Sequence, residues 1–223
     1  MAIRLEKGQR INLEKSNGTK LTQFCVGCNW GAVMGKKFFG LMNKVIDVDL
    51  DLSCLLFDAE GNPVDHIYSP LYRLAEHNTG LPNGKLDTID GALHHTGDDL
   101  TGDQGGDDGL DNEIITVDLK KVDSRVNSIV FFLNIYNNSE YSGDFSGIPY
   151  AYIRMFEGTP TYVKEVFAQY DVATRTDCVG MRGLVLGKLY RRNGDWKFAA
   201  IGESFTDPTI IQTIHRVIKD YSR

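Results

Sequence analysis

Positive charge is missing from one long stretch of this chain. Residues 87–113 hold nine acids and not a single lysine or arginine. Other absences narrow the field. No run of about 18 apolar residues occurs, which excludes a helical membrane span. The opening MAIRLEKGQRINLEK lacks the apolar core of a secretory signal, and a cytoplasmic protein is expected. Cysteine is scarce. The four in 223 residues, Cys25, Cys28, Cys54 and Cys178, do not read as a disulfide framework. There is no G-x-S-x-G, no H-E-x-x-H and no P-loop to supply a nucleophile, a zinc site or a phosphate cradle. The basic balance of a nucleic-acid binder is also absent, so no nucleic-acid partner is expected.

What is present is ordinary globular composition, 42% hydrophobic and 24% charged, with a formal net charge of −6. That charge is local. Asp87, Asp90, Asp98, Asp99, Asp103, Asp107, Asp108, Asp111 and Glu113 account for nine of the 30 acids. Without them, 21 acids face 24 Lys and Arg, and the rest of the chain stands at +3.

The patterning favours β structure. NSIVFFLNIY (127–136) is a β-branched and aromatic run short enough for a buried strand. In AYIRMFEG (151–158), Ala151, Ile153 and Met155 face one way and Arg154 the other. LVLGKLYRRNGDWKFAAIG (184–202) reads as two strands joined at Asn193-Gly194, residues that tolerate the positive φ of a type I′ turn. In VDLDLSCLLFDAEGNPV (48–64), Val48, Leu50, Leu52 and Cys54 share one face, and Asp49, Asp51 and Ser53 the other. The C-terminus differs. Asp207 is a candidate N-cap and Pro208 suits a first helical position. Ile210, Ile211, Ile214, Val217, Ile218 and Tyr221 then form one helical stripe. The expectation is one β-sandwich domain over 1–223, with two sheets, long acidic loops and a C-terminal helix at about 207–223.

The acid-rich HHTGDDLTGDQGGDDGLDNE (94–113) is either a solvated loop or a cation site. Carboxylates interleaved with glycines are what Ca²⁺, with its 6–8 hard oxygen ligands, requires. Mg²⁺ or Mn²⁺ fits less well, since magnesium prefers water and one or two carboxylates. No frame satisfies the EF-hand pattern. Asp49 and Asp51 lie on one strand face and would repel unless something positive lies between them. If that strand abuts the loop, they complete a coordination sphere.

VDLDLSCLLFD, HTGDDLTGD with its following GDD and E, ITVDLKKV, and GKLYRRNGDWKFAAIG together resemble the TerD family of bacterial tellurium-resistance and stress-response proteins over roughly 1–205. FCVGCNWG followed by KKFFG is most similar to the TerZ branch. The resemblance implies a β-sandwich that binds about two Ca²⁺, with no established catalytic reaction. The acidic positions it carries over are Asp49, Asp51, Asp98, Asp99, Asp103, Asp107, Asp108 and Glu113. Two departures matter. Gly105 stands where the family has an acid, and GLDN separates Asp108 from Glu113, so Asp111 is an alternative to Glu113. Gly31 follows Trp30 where the family often has Asp, leaving Asn29 to offer a neutral oxygen. The expected role is a non-enzymatic module of a tellurite-resistance assembly, with other tellurium-resistance proteins as partners, one of them membrane-embedded. The alternative is a two-metal phosphoester hydrolase.

Three further features stand apart. Cys25 and Cys28 have CxxC spacing, but on a strand they point to opposite faces. His94 and His95 flank the acidic loop and with Asp98 could form a transition-metal site. GKKFFGLMNK sets Phe38, Phe39, Leu41 and Met42 among Lys36, Lys37 and Lys44. It is either a flap over the core or a tip (36–44) that makes a peripheral contact at the inner membrane face.

Overall fold

The apolar run at 127–136 forms a strand, Ser128–Ile135, with all eight residues buried. A strand buried on both faces needs a layer on each side, and that requirement organises the molecule. The computed structural model describes residues 3–14, 18–37, 42–137 and 141–223. Its strands are β1 (Ile3–Arg4), β2 (Arg10–Asn12), β3 (Gln23–Trp30), β4 (Val33–Lys37), β5 (Met42–Ile46), β6 (Leu50–Phe57) and β7 (Pro63–Ile67). They continue with β8 (Leu93–His95), β9 (Glu113–Asp118), β10 (Ser128–Ile135), β11 (Ala151–Thr159), β12 (Tyr162–Asp171), β13 (Gly183–Arg192) and β14 (Asp195–Phe205). One sheet runs β1-β12-β11-β3-β9-β8, and the other β2-β14-β13-β10-β6-β7. The expected two-sheet sandwich is therefore what the chain forms. β4 and β5 make a separate two-stranded hairpin. Residues 38–41, which carry Phe38 and Phe39 of the expected tip, lie outside the described residues.

The core between the sheets follows the period of two. Phe24, Val26, Cys28 and Trp30 of β3 meet Leu50, Leu52, Cys54 and Leu56 of β6, with Phe131 and Leu133 of β10 among them. Cys25, on the other face of β3, joins Ile114 and Phe156 in a small outer cluster. The CxxC pair is thus split across the sheet, and all four cysteines are free and buried. Asn193 and Gly194 take φ of 52° and 81° between β13 and β14, as the hairpin dipeptide requires.

β6 departs from its alternating pattern in one respect: its polar face is buried as well. A second apolar cluster covers that face. Leu55, Phe57, Val130 and Phe132 pack there under Tyr68, Leu74 and the C-terminal helix.

That helix, α1 (Ile210–Arg216), continues through a wider turn over Val217–Tyr221. Ile210, Ile214 and Val217 are its buried stripe. Its start lies two residues beyond the expected cap. Thr209 is the N-cap, and the Gln212 side chain accepts from the Thr209 N–H at 3.0 Å. Asp207 instead receives the Arg216 guanidinium at 2.7 and 2.8 Å. The salt bridge outcompetes capping because Arg216 carries two well-aligned donors. Replacing Thr209 with Ala should cost about 1 kcal/mol, a loss of about 2–4 °C in thermal midpoint, read by calorimetry.

Candidate metal centre

β7 pairs with β6 only from Cys54 onward, so the first half of β6 has an open edge on that side. The acidic loop closes it. Glu113, the first residue of β9, accepts the Leu52 N–H at 2.7 Å through one oxygen and the Asp99 N–H at 3.2 Å through the other. A single carboxylate thereby ties the second sheet to the first and pins the loop that carries Asp98.

Asp49, Asp51 and Asp98 converge at this corner, each offering an oxygen within 4.8 Å of the others. The strand pair and the loop meet although about 50 residues separate them in sequence, as the repulsion argument expected. Asp51 accepts from the Tyr72 hydroxyl at 2.7 Å and from the Asn134 amide at 3.3 Å. Asp49 Oδ1 and Asp98 Oδ1 are buried with no hydrogen-bond partner among the described residues. Burial, and after it the charges of Asp98, Glu113 and Asp99, pushes the Asp49 carboxyl up to about 8. Burial and the neighbouring Asp49 raise Asp51 well above the carboxylate range. Burial likewise raises Glu113 and Asp98. Buried like charges of this kind are neutralised by protons or by a cation. The oxygen-only donor set and the orphaned oxygens fit a hard divalent ion.

A second cluster, Asp103, Asp107 and Asp108, forms farther along the loop. It is more exposed, and residues from the first sheet hold it. Tyr150 donates to Asp103 at 2.9 Å and Tyr152 to Asp107 at 3.0 Å. The Asn29 amide reaches Asp107 at 3.2 Å. The backbone pins the loop too: Asp103 N–H donates to Trp30 O, and Ala32 N–H donates to Asp103 O, both at 2.9 Å. Gly102 sits so close to the Trp30 indole that an added Cβ would fall 2.4 Å from its Cδ1, which no side chain tolerates.

The eight carried-over acids thus fall into two trios and two bracing residues. Both Glu113 oxygens are occupied by backbone N–H groups. Asp99 accepts from the N–H groups of Thr101 and Gly102, with Asn112 near its other oxygen. Asp111, the alternative to Glu113, joins neither trio. It forms an ion pair with Arg154, 2.9 Å away, with its side chain fully buried. Asn29 is buried, and its Oδ1 has no partner among the described residues, while its amide serves Asp107, Leu110 O and Tyr152. The two histidines separate. His94 pairs with Asp87 at 2.7 Å, whereas His95 lies buried 3.3 Å from Glu113. His95 Nδ1 accepts the Gly97 N–H, which leaves Nε2–H facing Glu113. Burial pushes its pKa down to about 4.

Tyr72, Asn134, Tyr150 and Tyr152 were missed from the sequence. The two tyrosines of β11 and its approach were within reach, because the alternation that sets Arg154 apart from Ala151, Ile153 and Met155 puts Tyr150 and Tyr152 with it. Tyr72 and Asn134 carry no such signal; only the fold brings them to Asp51.

A two-sheet β-sandwich closed at one corner by an acid-rich loop, with two carboxylate trios able to hold metal ions, is the class of protein these features define. The chain belongs to the TerD family, whose TerD domain model matches residues 1–216. It is 32% identical over 223 residues to the stress response protein SCP2 of Bacillus subtilis (strain 168), covering 98% of this chain and 100% of that one. It is 31% identical to the tellurium resistance protein TerZ of Serratia marcescens, covering 93% of each. The fold matches the crystal structure of a homologue of the telluride resistance protein TerD from Streptomyces coelicolor A3(2). There the TM-score is 0.61 at 12% identity, over 91% of this chain and 98% of that one. Among the described residues no helix is long and apolar enough to cross a membrane.

Proposed function

We propose that this chain is a calcium-binding, non-enzymatic module of a bacterial stress-response and tellurite-resistance system. It would take about two Ca²⁺, one at Asp49, Asp51 and Asp98 and one at Asp103, Asp107 and Asp108. The carrying observation is the first trio, drawn from a strand and a distant loop into one buried corner, with Asp49 Oδ1 and Asp98 Oδ1 left without a partner. Ordinary packing leaves few such atoms buried, because each costs roughly 1–3 kcal/mol. The names of the relatives, stress response and tellurium resistance, support a role in resistance without catalysis. Two divalent ions would supply four positive charges against eleven acids, the nine in residues 87–113 with Asp49 and Asp51, so the loaded site stays anionic. That charge suits docking on other components of the same system, with the loop turned away from an anionic membrane face.

Calorimetric titration tests the site. Asp49→Ala and Asp98→Ala should each abolish the same one of two binding steps, because both residues serve one ion. Should Asp49→Ala bind calcium like the wild type, the strand pair is only buried charge and the loop binds alone.

A further inference from the structure

Something positive does sit among the acids: Arg154, from a strand more than 40 residues away in sequence. It is only 8% exposed. Its Nε contacts Asp111 at 2.9–3.0 Å, and its Nη2 donates to Gly109 O at 2.7 Å. Its guanidinium carbon lies 5.5 Å from the ring centres of both Tyr152 and Phe156. In the β3–β11 register, Arg154 stands opposite Gly27 and Tyr152 opposite Asn29. Gly27 is required there for space, since an added Cβ would fall 2.2 Å from Asp111 Oδ2. Asp111 therefore rests on bare backbone, held from the side by Arg154.

We infer that the Arg154–Asp111 pair, seated on Gly27, is a latch that positions the Asp103, Asp107 and Asp108 trio and leaves the Asp49, Asp51 and Asp98 site alone. The inference rests on the calcium reading above. The pair fixes Gly109 and Asp111, at the C-terminal end of the trio. The Trp30–Asp103–Ala32 backbone bonds fix the other end. Between these two anchors the loop has little freedom, so the trio is assembled before any ion arrives. Preassembly strengthens binding by removing the ordering cost from the binding step. The buried trio has separate supports, Tyr72, Asn134 and Glu113, and among the described residues Arg154 hydrogen-bonds Asp111 and Gly109 instead.

Charge and position pull in opposite directions, so the variants must separate them. Removing Arg154 alone deletes a positive charge beside a cation site, which by itself would strengthen binding. The double variant Asp111→Leu, Arg154→Met keeps the net charge and deletes only the latch. Gly27→Ala leaves every charge in place and displaces Asp111. Both should weaken one of the two calcium steps about ten- to a hundredfold, as loss of residues that orient metal ligands does, and leave the other step unchanged. In calcium-free protein, amide hydrogen exchange over residues 103–112 should quicken while β6 and β10 stay protected. Two unchanged binding steps with unchanged exchange would overturn the latch. Equal weakening of both steps, or a global gain in exchange, would reduce it to general stability. If the wild type takes up no calcium, the metal reading fails by itself. The exchange pattern still decides whether Arg154 and Gly27 hold this loop.

Discussion

Millimolar Ca²⁺ should raise the thermal midpoint of this protein by roughly 5–10 °C over its value in EDTA. An ion that binds only the native state adds RT ln(1 + [L]/Kd), about 2.7 kcal/mol at a hundredfold excess over Kd. For a chain of this size each kcal/mol moves the midpoint by about 2–4 °C. The apo state also carries mutual repulsion between Asp49, Asp98, Glu113 and Asp99 in a buried corner. An ion bound there relieves that repulsion, and the relief is part of what sets its Kd. Scanning calorimetry in the two buffers decides the matter, and coincident midpoints would remove calcium from the account of this protein.

The pH dependence of stability should reverse with the metal. In the folded apo protein, burial raises the Asp49 carboxyl from 3.8 to about 8, and Asp51, Glu113 and Asp98 move in the same direction. A carboxyl whose pKa is raised by folding holds its proton in the native state while the unfolded chain has lost its own. Stability is therefore unaffected below about pH 4 and falls as the pH climbs from there, with the share of Asp49 complete by about pH 8. Each unit of displacement is worth about 1.4 kcal/mol, so between pH 5 and 8 in EDTA the loss should reach roughly a few kcal/mol. Calcium binds the ionised carboxylates and competes with protons, so its affinity grows over the same interval. In saturating calcium the midpoint should stay level or rise. Asp49→Asn should flatten the decline seen in EDTA. Parallel declines with and without calcium would mean that the ion does not sit on these groups.

Much of this architecture was legible in the residues. β-branched runs, the Asn193-Gly194 turn and the terminal stripe of isoleucines are local signals, and each element formed where its pattern lay. The boundaries that slipped did so for non-local reasons. The helix start moved to Thr209 because Arg216, nine residues on, claimed Asp207. The far half of the Asp49–Asp51–Ser53 face of β6, Leu55 and Phe57, is covered by α1 and the segment around Tyr68 and Leu74, elements that only the fold brings there. The acids themselves were visible as composition, and the pairing of Asp49 and Asp51 with the loop was foreseeable from repulsion. Their division into two trios was not, nor was the bracing duty of Glu113. Both depend on which backbone N–H groups the fold leaves open, such as that of Leu52 beyond the end of β7.

The four thiols, split between faces and buried, bear on how the protein meets a reactive environment. A thiol attacks electrophiles and oxidants as its thiolate. Burial holds Cys25 and Cys178 at about 11 and raises Cys28 and Cys54 well above the ordinary value. At neutral pH the native molecule therefore presents almost no thiolate. Cys28, Cys54 and Cys178 have no exposed surface in the native molecule, so a molecule must open to present them, and these three residues then act as a clock for opening. The rate at which a thiol reagent consumes them counts how often the sandwich comes apart.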